Sequence, residues 1–192
     1  AVSGVFSNLN ADGATILIDG VTYKIFYGGG DGNDVVLANA TTPAVIYVDD
    51  FWATGINRGQ TIADADQGSS GAQNAIFGIN AFATLTDALA VAGTSSTIIV
   101  NDGNYSGETI NLTGTQTLEI TGPDTAGTFE NVKIGSLSAA TTAKVIIEGN
   151  SVLELSGGTV AGVISGSGSL TKTGTGIVTL SGSNTFTGAL TV

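Results

Sequence analysis

The residues of this sequence that are able to do chemistry are almost all carboxylates. Sixteen Asp and Glu stand against five Lys and Arg, a formal net charge of −11, and there is no His and no Cys. Without them the usual general base near neutral pH, the thiolate nucleophile, disulfides and the common zinc ligands are all out of reach. What remains is oxygen chemistry toward hard cations, of which calcium is the one that gathers about 6–8 oxygens from carboxylates, carbonyls and water. Four carboxylates fall in one stretch: Asp49, Asp50, Asp64 and Asp66. Asp64, Asp66 and Gly68 spell D-x-D-x-G, the first half of a calcium loop, although the bidentate acid expected further on is missing. These four are the candidate calcium ligands. A second candidate lies in GGDGNDVVL, Gly29 to Leu37, which fits the calcium nonapeptide G-G-x-G-x-D-x-U-x and offers Asp31 and Asp34. It occurs once, whereas such turns share each ion between successive copies. The alternative for both sets is structural: Asp as cap or turn former, and Asn33-Asp34 as a tight turn into a strand.

The same acidic balance excludes partners. A nucleic-acid groove or an anionic membrane surface would have to overcome long-range repulsion, and no apolar run of about 18 residues could span a bilayer. The chain starts at Ala1 with no signal-peptide core, so it reads as a mature or excised piece of a secreted protein.

The elements that must position these acids are mostly β. At 192 residues, one core or one stack of elements is expected. In ATILIDGVTYKIFY, Ala14 to Tyr27, two β-rich runs flank Asp19-Gly20, a pair suited to the positive φ angles of a type I′ turn. This predicts a hairpin, with Val21, Tyr23, Ile25 and Tyr27 on its buried face. After a strand at 44–48, residues 49–78 show no periodicity and read as a long ordered loop, with Phe51 and Trp52 either plugging an end of the fold or stacking on a ligand. One helix follows: Thr84 is placed to N-cap it, Asp87 stands at the capping-box position, and Leu85, Leu89 and Ala92 share a face, with Gly93 closing it. Such a short, single helix belongs across the end of a sheet or stack. From Thr97 onward come short β segments, TIIV, TLEIT, NVKI, KVIIE, VLELS, GVISG and others, with turns that lack the usual hairpin pairs. Short strands and Thr, Asn and Ser positions suited to ladders favour a parallel solenoid over an antiparallel sandwich. The organisation expected is an N-terminal β segment over 1–42, an acidic loop and capping helix over 43–93, and stacked β structure over 94–192.

Two stretches resemble known families. Phe82 to Gly122, FATLTDALAVAGTSSTIIVNDGNYSGETINLTGTQTLEITG, is similar to the start of a pectate-lyase-like right-handed parallel β-helix, with its D-G-x-Y turn at Asp102-Gly103-Asn104-Tyr105. Ile164 to Val192 resembles the autotransporter-associated β-strand repeat: Gly166, Gly168, Leu170, Lys172, Gly174, Gly176, Leu180, Gly182, Asn184 and Gly188 all match its pattern. The hairpin and the turn and strand at Gly28 to Leu37 resemble the segment that often follows such repeats. Together these resemblances imply an all-β fold, a right-handed parallel β-helix (solenoid) with a short capping helix and an N-terminal hairpin, in a large bacterial surface protein. They do not carry lyase activity over, because the only Arg, Arg58, lies outside the strands and Lys133, Lys144 and Lys172 are isolated among them.

The function expected is therefore a structural or adhesive module, not an enzyme. It would be secreted or at the bacterial cell surface, with other copies of itself or adjacent repeats as partners and head-to-tail association into a fibre or layer. The alternative is a carbohydrate-binding or carbohydrate-active β-helix in which Phe51, Trp52 and Tyr105 stack on sugar rings. An ice-binding role is disfavoured, since Thr171, Thr173, Thr175 and Thr179 give no T-x-T register on every turn.

Overall fold

In the computed structural model, which describes residues 11–29, 34–66, 68–122 and 131–192, the hairpin forms as expected. β1 (Thr15–Ile18) pairs antiparallel with β2 (Val21–Gly29), and the turn residues Asp19 and Gly20 have φ of 49° and 81°. β3 (Asp34–Asn39) adds to the other edge of β2. The buried face differs from the alternation expected. Ile25 is buried, but so is Phe26 on the opposite face, where it meets Val36 and the loop glycines Gly59 and Gly78. Phe26 thus ties the N-terminal sheet to the loop that carries Gly59 and Gly78.

β4 (Val45–Val48) begins a different architecture. Within the loop that follows, Asp50–Ala53 form a single 3-10 turn, and β5 (Thr61–Ile62) pairs antiparallel with β6 (Ala75–Ile76). β7 (Ala81–Phe82) then returns to lie parallel to β4. The helix α1 (Leu85–Val91) starts as expected, with the Thr84 hydroxyl accepting the Asp87 N–H at 3.1 Å. A carboxylate from a later strand holds the same end. Glu108 accepts the backbone N–H groups of Leu85 and Thr86 at 3.2 and 2.6 Å and the Thr86 hydroxyl at 2.6 Å. Donors that a helix start leaves without intrahelical partners are satisfied from another strand.

From there to Lys172 the chain alternates between two parallel sheets, and its last strands stay in the second. β8 (Thr97–Val100), β10 (Thr117–Ile120), β12 (Lys144–Ile147) and β14 (Val163–Gly166) join β4 and β7 in one six-stranded sheet. β9 (Gly103–Leu112), β11 (Val132–Ala139), β13 (Val152–Val160), β15 (Ser169–Lys172) and β17 (Leu190–Thr191) form the other, and β16 (Val178–Leu180) pairs with the end of β13. Registers are maintained from level to level. Ile46, Ile98, Leu118, Val145 and Ile164 stand one above the next, as do Val132, Leu153, Leu170 and Leu190 in the facing sheet. Alternation turns these inward, so aliphatic columns from both sheets meet in one core against which α1 packs Leu85 and Ala88. The chain is thus predominantly β with parallel sheets.

Polar side chains between Ile164 and Val192 add further hydrogen bonds to the backbone. Asn184 Oδ1 accepts the Ile164 N–H at 2.9 Å and Ser169 Oγ accepts the Ala189 N–H at 3.0 Å. Lys172 bends back to donate to the carbonyls of Thr173 and Gly174 at 2.5 and 3.0 Å.

These columns yield a sharp contrast within neighbouring strands. Leu118→Ala empties a wholly buried position and should lower stability by about 2–5 kcal/mol. Lys144→Ala, at an exposed position on β12, should change it by under about 0.5 kcal/mol. Urea denaturation of the two variants measures the difference.

Candidate functional site at the acidic loop

The loop between β4 and β7 lies on the outer face of the first sheet. Tyr47 of β4 and Ile99 of β8 point outward there, and Trp52, Ala65, Ala75 and Ala81 close over them as a second core. Trp52 is 5% exposed, and Tyr105 belongs to the main core. Neither ring is free to stack on a sugar, contrary to that part of the carbohydrate expectation; of the three aromatics proposed, Phe51 alone is exposed.

The four acids of the loop have separate fates. Asp49 follows β4 directly and is almost wholly buried. Its Oδ1 accepts the Phe51 N–H at 2.9 Å, capping the 3-10 turn, and its Oδ2 accepts from Asn101 Nδ2 at 3.3 Å. Asn101 sits at the equivalent position after β8, donates also to the Ala65 carbonyl at 3.2 Å, and accepts through Oδ1 from Thr121, the equivalent residue after β10, at 3.2 Å. Asp49, Asn101 and Thr121 are therefore one polar column across three levels, which ties the loop to the sheet. Asn101 and Thr121 were not singled out from the sequence. The signal for them is their shared place directly after the matching runs VIYV, TIIV and TLEI.

Asp50 is committed to the D-G-x-Y turn. Its Oδ2 accepts the Asn104 N–H at 2.9 Å, while its own N–H donates to the Tyr105 hydroxyl at 3.0 Å. A methyl group on Gly103 would lie 2.7 Å from Asp50 Oδ1 and 2.9 Å from the Tyr105 hydroxyl, so only glycine leaves room for this contact. Burial first, with Asp49 and Asp50 adding to it, pushes the Tyr105 hydroxyl far above its ordinary range. The phenol stays neutral and keeps its acceptor role.

Asp64 is exposed and accepts a long 3.5 Å hydrogen bond from the Gln73 N–H. Asp66 is different: it is 4% exposed, and its Oδ1 is buried with no hydrogen-bond partner. Its charge is felt by neighbours. Burial, then Asp66 and Asp64, raises the Tyr47 hydroxyl, and burial, then Glu148 and Asp66, holds Glu119 above the usual carboxylate range. Among the described residues no three His, Cys, Asp or Glu side chains converge into a set able to hold a metal ion. Of the second candidate pair, Asp34 is exposed at the start of β3, and Asp31 lies outside the described residues.

The Asp50 arrangement is open to a direct measurement. Tyr105→Phe leaves the Asp50 N–H without its acceptor and should cost about 1–3 kcal/mol. Gly103→Ala should cost at least as much, because the new methyl displaces both Asp50 and Tyr105. A Tyr105→Phe variant with unchanged urea midpoint would show that this hydrogen bond contributes nothing.

No family model, curated protein or solved structure matches the chain, so what this site does is argued from its own geometry.

Proposed function

We propose that the chain is a right-handed parallel β-helix, of the autotransporter-repeat kind, that serves as a non-enzymatic structural or adhesive module in secreted or bacterial cell-surface material and associates head to tail. The observation that carries this reading is the alternation of successive strands from β8 to β15 between two parallel sheets, with matched register along the first of them. Parallel crossovers within a sheet are right-handed in about 98% of cases, which favours that hand here.

The level built by β15 to β17 supports association. Leu155, Leu170, Val178, Leu180, Leu190 and Val192 surround an open, mostly apolar groove of about 280 Å³. Within the chain each such surface is covered by the next level, whose glycines rest on carbonyls below: Gly182 on Gly162 and Gly188 on Gly168. A surface that docks in this groove would bring apolar side chains over Leu170 and Leu190. The N-terminal sheet offers such side chains, since Leu17 and Leu37 are 68% and 49% exposed, and β1 is an edge strand of that sheet among the described residues, the kind of strand that another chain extends. A contact between these two different surfaces is heterologous and propagates into a fibre unless it closes into a ring.

Sedimentation and negative-stain microscopy test this. Elongated assemblies are expected for the wild type, and Leu190→Asp and Leu17→Asp should each return them to monomers. A wild type that remains monomeric at high concentration would rule out self-association.

The carbohydrate reading keeps one specific support. An open groove of about 350 Å³ is lined by Asn39, Thr41, Tyr47, Asn74 and Asn80, with no charged side chain among its lining residues. Asn39 Oδ1 accepts the Thr41 N–H at 2.9 Å and Asn80 Oδ1 accepts the Ile76 N–H at 2.8 Å, which leaves both amide nitrogens to donate outward. A neutral polyhydroxylated ligand suits that chemistry. Glycan-array binding lost on Asn80→Ala is the result that would favour it.

A further inference from the structure

Asp66 is the one loop acid whose burial no protein donor balances. Its side chain is 4% exposed and Oδ1 is partnerless, in an environment where an uncompensated carboxylate is strongly disfavoured. Its position is defined by the backbone. A methyl group on Gly68 would lie 3.1 Å from Thr121 Cβ, 3.2 Å from the Gly122 nitrogen and 3.5 Å from Asp66 Oδ1, so Gly68 fits between the carboxylate and the turn that follows β10, while Ala65, the residue before Asp66, packs in one cluster with Ile99, the register partner of Glu119. The titratable groups that feel it are Tyr47 on β4 and Glu119 on β10, with Asp64 and Glu148 acting on the same two. All are acids or a phenol, and no described Lys or Arg is paired with Asp66. Desolvation, a missing donor and like-charged neighbours together call for a cation.

We propose that Asp66 and Glu119 hold a calcium ion between the acidic loop and the outer face of the first sheet, pinning the loop to that face. Two carboxylates supply part of the six to eight oxygens calcium takes, and water with backbone carbonyls completes the shell. So few charged ligands give weak binding, in the range of about 10⁻⁴–10⁻³ M that extracellular modules use. The proposed site leaves out Asp49 and Asp50, whose oxygens accept from Phe51, Asn101 and Asn104. The inference concerns a different surface from the association groove and does not rest on the assembly reading.

The test is thermal melting of the full chain at pH 7 in chelator, in 10 mM calcium chloride, and in sodium chloride of equal ionic strength. Binding to the native state alone, at about ten times Kd, should raise the wild-type midpoint by about 3–6 °C over the sodium control. Asp66→Asn and Glu119→Gln should each abolish that increment, and Asp64→Asn should keep it. In chelator the Asp66→Asn protein should melt at or above the wild type, because the amide removes an uncompensated charge. Its loss of calcium response would then not be a loss of fold. No calcium-specific rise in the wild type, or a rise that survives in Asp66→Asn or Glu119→Gln, overturns the proposal.

Discussion

Each strand of the two large sheets meets its neighbours in parallel, in a register that shifts only once among the described pairings, between Ile134 and Ser136 where β11 meets β9, and that requirement dictates what every level can carry. Backbone hydrogen bonds set the vertical spacing to about 4.8 Å, so a side chain on one level rests on the equivalent side chain of the next. At inward positions the consequence is an aliphatic column, Ile46 to Ile164 through Ile98, Leu118 and Val145, wholly buried throughout. At the turn after the first sheet the same rule stacks polar groups, and Asp49, Asn101 and Thr121 bond to one another instead of to water. Where two turns approach more closely than a side chain allows, the position is glycine, as at Gly162 and Gly182. Register thus determines packing, polar satisfaction and the placement of small residues together.

Local signals made some of this legible. The Asp19-Gly20 pair implies its turn because positive φ at both residues is a property of the dipeptide itself, and Thr84 marks its helix because an N-cap bonds only three residues away. Strand positions followed from composition. Less legible was anything decided by contacts distant in the chain. Phe26 is buried because Gly59 and Gly78 lie against it, and no period-two count along β2 contains that information. Glu108 holds the start of α1 from more than twenty residues away. Among the four acids, spacing suggested one cluster, whereas the fold gives Asp49 and Asp50 to backbone donors and leaves Asp66 buried without one.

The location of the loop nevertheless has a cause that can be read from the strands. β4 and β8, VIYV and TIIV, are apolar on both faces, the pattern of strands covered on both sides. An open outer face bearing Tyr47 and Ile99 would leave a hydrophobic patch in water, and the chain between β4 and β7 is the segment that covers it, with Trp52 and a set of small alanines. One level on, the outward residue is Glu119, and there the apolar reason for the cover ends. The loop's edge therefore falls where the face turns from apolar to acidic, and there the Asp66 charge is felt by Glu119. Closing the second core over Ile99 and keeping these two carboxylates apart are competing demands on the same few residues. The second core closes with Trp52, Ala65 and Ile99 buried, so the electrostatic conflict at Asp66 is a consequence of where the outer face changes character.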